Sequence, residues 1–284
     1  MSGGPQTRRR EGASGPPRRR RATSDLGARL LVAIPAIVVA LLLIYEGGLP
    51  FALFVMVLGL LALHELFQMT AAAHPSRLAG FIGLIALVFA AQYGDQFNVV
   101  LVLMALVPVL FALTLVQSDT TRPTATMSVT MLGVWWIGLA VAHVLLLQKL
   151  PHGDSVIVDI LAGTFFGDTV AYFAGRLFGR RPLAPSISPH KTLEGLAGGV
   201  VGALVAVQVA GLYQDWMSGL DALWLGLGVA IAAPVGDLFE SYIKRDMGAK
   251  DTGRVFGAHG GALDRLDAAL FSLVVGYYIW FAIS

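Results

Sequence analysis

A chain of 284 residues that is 56% hydrophobic and only 13% charged, with a formal net charge of +2, falls outside the range of a soluble domain, where about a quarter of the residues carry charge. The mean hydropathy of +0.72 indicates a polytopic membrane protein instead. Cysteine is absent, which excludes disulfides, thiolate metal sites and cysteine nucleophiles; any metal has to be held by oxygen or imidazole.

Residues 1–28 are rich in Gly, Pro, Ser and Arg, with arginine blocks at Arg8–Arg10 and Arg18–Arg21. Such a segment buries too little apolar surface to fold and is expected to be a disordered cytoplasmic tail, its arginines meeting anionic headgroups or fixing topology. The apolar run after Arg29 is of spanning length and no small-residue cleavage site follows it, which argues against a signal peptide. Apolar runs long enough to cross a bilayer recur near 29–46, 50–69, 77–92, 97–117, 127–148, 155–177, 193–213, 220–243 and 264–283. The expected fold is therefore all-α: a polytopic integral membrane protein of about nine transmembrane helices. Residues 29–150 form its N-terminal set, and residues 151–284 form a region with two polar cytoplasmic loops. A cytoplasmic N-terminus puts every Lys and Arg except Lys149 inside, as the positive-inside rule requires, and sends the C-terminus outside. Gly195, Gly198, Gly199 and Gly202 give the seventh helix a small-residue face suited to close packing.

Three acids stand at membrane depth or at its cytoplasmic edge: Asp168, Asp237 and Asp264. A charge at a helix centre costs about 2.5–3.5 kcal/mol on insertion scales, so it is expected to face a cavity or a partner. Thr164, Asp168, Tyr172 and Arg176 recur at four-residue steps and share one helical face. Asp237, Glu240, Ser241 and Lys244 share another by the same spacing. The two polar stripes read as walls of one hydrophilic cavity. A structural pairing of Asp168 with Arg176 or another arginine stays open, as does a pairing of Glu240 with Lys244. Oxygen-only ligands with few protein contacts suit Mg²⁺, and Asp237 and Asp264 are the candidates to hold it.

The stretch from Ser241 to Asp267, SYIKRDMGAKDTGRVFGAHGGALDRLD, concentrates charge and glycine in an otherwise oily chain. Lys244, Arg245, Lys250 and Arg254 offer donors to phosphate oxygens, and the glycines allow the backbone to approach a polyphosphate closely. His259 is either a phosphate contact or proton carrier, or simply solvated. In the preceding loop, Ser188 to Gly195, Lys191 and Thr192 are expected to open the seventh helix. There they attract an anion to its N-terminus, or Thr192 serves as a cap.

These residues also resemble a known family. The run Ser241-x-x-Lys244-Arg245, then Lys250-Asp251-x-Gly253, then Phe256-Gly257-x-His259-Gly260-Gly261-x-x-Asp264-Arg265-Leu266-Asp267 looks like the signature of phosphatidate cytidylyltransferases, the CDP-diacylglycerol synthases. Ala262 stands where a larger aliphatic residue is usual. Gly167-Asp168-x-x-Ala171-Tyr172-x-x-Gly175-Arg176 and Ser188-Pro189-x-Lys191-Thr192-x-Glu194-Gly195 resemble the family's two other recurrent blocks, with His190 in place of a frequent lysine. The resemblance is detailed from Gly163 to the C-terminus and extends to the N-terminal half in helix count alone.

The resemblance implies an inner-membrane, multi-pass enzyme that joins CTP to phosphatidic acid with Mg²⁺, releasing pyrophosphate. Asp237 and Asp264 map onto the family's metal-binding carboxylates, and Lys244 and Asp168 complete the catalytic set. Substrate contacts are expected from Tyr172, Arg176, Ser188, Lys191, Thr192, Ser241, Arg245, Lys250, Asp251, His259, Gly260, Gly261 and Arg265. Membrane lipids are expected partners, a homodimer is compatible with this reading, and nucleic acid is not expected. A cytidylyltransferase or CTP-dependent kinase acting on an isoprenoid lipid remains an alternative. A secondary transporter is another, though no internal repeat is visible and the polar residues gather on one side.

Overall fold

A computed structural model of the chain describes residues 22–116, 122–249, 252–253 and 260–284, with side chains from residue 34 onward. The chain divides into two compact units, Met1–Val38 and Val39–Ser284, and the candidate site lies wholly within the second.

Helices account for nearly all of the described chain: α1 (Ala22–Glu46), α2 (Gly48–Met69), α3 (Arg77–Tyr93), α4 (Gln96–Val116), α5 (Pro123–Gly133), α6 (Leu139–Gln148), α7 (Gly153–Phe178), α8 (Leu193–Gly211), α9 (Gly219–Asp246) and α10 (Leu263–Ile283). A π-helical turn, Val134–Gly138, joins α5 to α6 so that they run on as one segment, Pro123–Gln148. Among the described residues, seven helical segments are long and apolar enough to cross a membrane; Ile34–Glu46 and Arg77–Tyr93 are apolar but shorter. The protein is thus a mostly helical polytopic membrane protein.

Two expectations need correction. Helix α1 begins at Ala22, so residues 22–28 are helical where a disordered tail was expected. Ser188–Thr192 does not open a helix with Lys191. It forms strand β2, which pairs antiparallel with β1 (Pro182–Ala184), and the helix starts after it at Leu193. Pro185 and Pro189 disfavour helix through this stretch, and a two-stranded strip satisfies backbone groups that a loop would leave to water.

Lipid tails offer no hydrophobic drive between helices, so their association depends on close van der Waals packing. On α7 and α8 that closeness comes from small residues. A methyl group placed on Gly167 would press on the Gly199 carbonyl and Ala203, one on Gly198 would meet Ala174, and one on Gly202 would meet Val170. The expected packing role of the α8 glycines therefore holds. The buried core includes Phe51, Leu63, Phe67, Leu84, Ile137 and Ile157. Lys149 ends α3: its ammonium donates to the carbonyls of Ala91 (2.5 Å) and Gly94 (2.9 Å), where a cation complements the negative end of the helix.

Candidate active site

The site starts from the β1–β2 strip, which is tied down at several points. Thr192 is the N-cap of α8, its hydroxyl accepting from the Gly195 amide (3.1 Å), as the capping reading anticipated. Glu194, in the first turn of α8, accepts through one carboxylate oxygen from the amides of Arg180 (3.0 Å) and Arg181 (3.2 Å). Arg245, at the end of α9, donates its Nε to the Ile187 carbonyl (3.0 Å). These bonds hold Ser188, Lys191 and Thr192 against the ends of three helices.

Between the strip and those helices lies a cavity of about 610 Å³. Asp168, Tyr172 and Arg176 line it from α7, Ser188, Lys191 and Thr192 from β2, and Asp237 from α9. Three of the four residues of the α7 stripe thus line this cavity, whereas Asp237 is the one residue of the α9 stripe in its wall. Arg176 donates to the Tyr172 hydroxyl (3.1 Å) and makes no ion pair with Asp168, so the pairing with Arg176 left open above is not formed. Lys191 instead forms an ion pair with Asp237. Apolar residues, among them Leu183, Leu196 and Pro234, complete the wall, and a recess of about 30 Å³ lined by Gly163, Thr164 and Ala203 adjoins it at Asp168.

At the Asp237 end the acids converge. Oxygens of Asp237, Glu240 and Asp267 all lie within 4.8 Å of one another. Gly236 permits this grouping: a Cβ there would collide with the Asp267 carbonyl oxygen, so glycine lets α9 and α10 close on each other at that level. Glu240 is 1% exposed, and its Oε1 has no hydrogen-bond partner among the described residues. Lys244 approaches Glu240 at 2.5 Å, one turn along α9, as its i+4 spacing suggested, and reaches Asp264 at 3.0 Å.

Asp264 is occupied differently. Its Oδ1 accepts from Lys244 (3.0 Å), its Oδ2 from the Gly261 amide (2.9 Å), and the Thr252 amide lies 3.2 Å from both oxygens. The structure thus groups Asp237 with Glu240 and Asp267, and sets Asp264 beside them as an anchor for Lys244 and the connecting segment. Gly260 precedes this anchor with φ +86°, a left-handed conformation that glycine adopts without strain. Ser241 is half-buried on α9, and Arg265 projects from the first turn of α10. Lys250, Asp251, Arg254 and His259 lie outside the described residues.

Sequence reasoning did not assign Asp267 and Glu240 to a ligand group, although both stood in the polar stretches it singled out. It overlooked Glu65 entirely, an acid in the apolar α2 that is 1% exposed. The available signal was the one used for Asp168, a carboxylate inside a spanning segment.

Compared with known proteins, the chain matches one family over nearly its whole length. The model of the cytidylyltransferase family matches residues 27–283. The chain belongs to this family. A phosphatidate cytidylyltransferase of Bacillus subtilis (strain 168) is 31% identical over 264 residues, covering 90% of this chain and 97% of that protein. Those of Staphylococcus saprophyticus and Brucella abortus (strain 9-941) are 32% identical over 253 residues and 31% over 259. The first alignment covers 86% of this chain and 95% of its relative, the second 89% and 93%.

Proposed function

We propose that this cytidylyltransferase transfers the cytidylyl group of CTP to phosphatidic acid, giving CDP-diacylglycerol and pyrophosphate for phospholipid synthesis. The observation that carries this reading is the Lys191–Asp237 pair, which stands in the wall of one cavity with Arg176 and Asp168 while Asp237 also belongs to the acidic, metal-fitting group. At about 610 Å³ the cavity falls within the roughly 300–1,000 Å³ usual for small-molecule sites, and its wall joins polar donors to apolar residues, as a lipid phosphate requires.

In the reaction an oxygen of the lipid phosphate forms a new bond to the α-phosphorus of CTP while the bond from that phosphorus to the bridging oxygen of the β-phosphate breaks. The electron pair leaves with pyrophosphate. The lipid phosphate is largely ionised near neutral pH, so no dedicated base has to remove a proton. In this reading Lys191 and Arg176 hold phosphate oxygens, Lys244 meets charge building on the transferring or leaving group, and Thr192 and Ser188 orient by hydrogen bonds. Each cation is already fixed by a partner or by packing, so little reorganisation accompanies the charge movement.

Asp237, Glu240 and Asp267 fit a hard divalent cation: all donors are oxygen, and one buried carboxylate oxygen lacks a partner among the described residues. We assign the Mg²⁺ ligands to Asp237 and Asp267, with Glu240 behind them, and give Asp264 the task of orienting Lys244. Bound there, Mg²⁺ neutralises phosphate charge. Counting Ile34–Glu46 and Arg77–Tyr93 with the seven longer segments gives nine crossings, with the N-terminus cytoplasmic, the C-terminus outside and the site opening to the cytosol; charge asymmetry supports this orientation and placement in the inner cell membrane.

The test is product formation by purified protein in lipid vesicles supplied with CTP, Mg²⁺ and either phosphatidic acid or an isoprenoid lipid phosphate. CDP-diacylglycerol is the expected product. Turnover confined to the isoprenoid substrate, or CTP-dependent phosphorylation without a CDP-lipid, would replace this reading.

A further inference from the structure

We propose that Glu65, on α2 in the N-terminal half, is a positioning residue of this active site. Its buried carboxylate fixes Thr252 and residues 261–263 so that Asp264, and through it Lys244, face the acidic group of α9 and α10. The proposal rests on the cytidylyl-transfer reading for what the clamp serves, but not for the clamp itself.

The α2 sequence, GLPFALFVMVLGLLALHELFQM, is apolar except for its last turns, and Glu65 is 1% exposed. A carboxylate in such a place needs donors, and its Oε2 takes them from the other end of the chain. The Leu263 amide donates at 2.9 Å and the Thr252 hydroxyl at 3.2 Å. Leu263 is the first residue of α10, whose N-cap, Ala262, supplies no side-chain cap. Glu65 thus caps α10 from a different helix, placing a negative charge at the positive end of its dipole.

Thr252 ties the two halves of the arrangement together. Its hydroxyl donates to Glu65, while its amide donates to Asp264, which also accepts from Gly261 and Lys244. The adjoining glycines follow from the same carboxylate. A Cβ on Gly253 or on Gly261 would collide with Glu65, so both positions need glycine for backbone to pass this close. Oε1 of Glu65 has no hydrogen-bond partner among the described residues. A glutamine can therefore keep its carbonyl oxygen on Thr252 and Leu263 and turn its NH₂ toward the Oε1 position.

That asymmetry supplies the test. Purified full-length wild type, Glu65→Ala, Glu65→Gln and Thr252→Val are compared for kcat and for the KM of CTP per folded enzyme, for thermal unfolding, and for amide hydrogen exchange across residues 260–270. Glu65→Ala is expected to lose about a hundredfold in kcat, the scale of a small misplacement of reacting groups, with faster exchange across 260–270. Glu65→Gln is expected to recover most of both losses, and Thr252→Val to fall between. Wild-type kcat per folded Glu65→Ala enzyme would overturn the proposal, as would a Glu65→Gln enzyme as slow as the alanine variant, or slowed turnover with unchanged exchange. If Glu65→Ala does not fold, Thr252→Val with wild-type kcat and exchange would overturn it equally. A wild type that shows protected amides but makes no CDP-lipid would instead sink the reading of the reaction and leave the clamp standing.

Discussion

Lys191 of β2 and Asp237 of α9 meet in an ion pair across the cavity, joining the strip that follows α7 to the helix that carries most of the acidic group. The two side chains are 27% and 33% exposed, while the ammonium nitrogen itself is buried and held by the carboxylate. The lysine therefore stands ready in the right place before substrate arrives. Replacing it with Met keeps the stem and removes the charge. The expected loss is about two to three orders of magnitude in kcat with little change in thermal stability, measured by CDP-lipid formation and unfolding in detergent. A fall in stability with unchanged turnover would make the pair structural.

The acidic group makes a separate prediction. Asp237→Asn and Asp267→Asn are expected to abolish nearly all turnover and to weaken Mg²⁺ binding, read by titration calorimetry without substrate. Asp264→Asn is also expected to lose most turnover while binding Mg²⁺ nearly as wild type does, because its oxygens serve Lys244, Thr252 and Gly261. Equal loss of binding in all three variants would return Asp264 to the ligand set.

Chelation should reverse cleanly. Protein stripped with a chelator is expected to be inactive and to regain activity with Mg²⁺, since the donor set is all oxygen. Full activity after exhaustive stripping would remove the metal from the proposal.

Thr192→Ala removes the cap of α8 together with a hydroxyl that lines the cavity. Loss of an N-cap side chain is expected to lower stability by about 1 kcal/mol, seen as a lower unfolding temperature, and to loosen β2 where Lys191 sits. Thr192→Ser keeps the oxygen that accepts from Gly195 and is expected to restore both.

Removal of residues 1–21 is expected to leave turnover per purified molecule largely intact, because the cavity and acidic group are built from residues 168–267. A collapse of specific activity would bring the arginine tail into the site.

Much of this was legible in the sequence. Asp168 and Asp237 stand out because a charge in an apolar helix needs a reason, and four-residue spacing puts each on a definable face. What lay hidden was how faces from different helices meet. The choice of Asp267 as neighbour to Asp237 depends on the close approach at Gly236, which no periodicity within one helix encodes. The β1–β2 strip escaped notice because its strands are very short and contain prolines, with no alternating pattern to mark them. Glu65 escaped because its partners lie far along the chain.

The contact between Glu65 and Leu263 joins positions 198 residues apart, and this separation governs how the enzyme comes into being during synthesis. Helix α2 is made and inserted long before α10 emerges from the ribosome, so for most of translation its acid lacks both donors. Helix α10 brings the amide that Glu65 caps, the Asp264 anchor and Asp267 together. Activity therefore awaits α10, and a product truncated before that helix is not a slow enzyme but an inactive one bearing an uncompensated charge on α2.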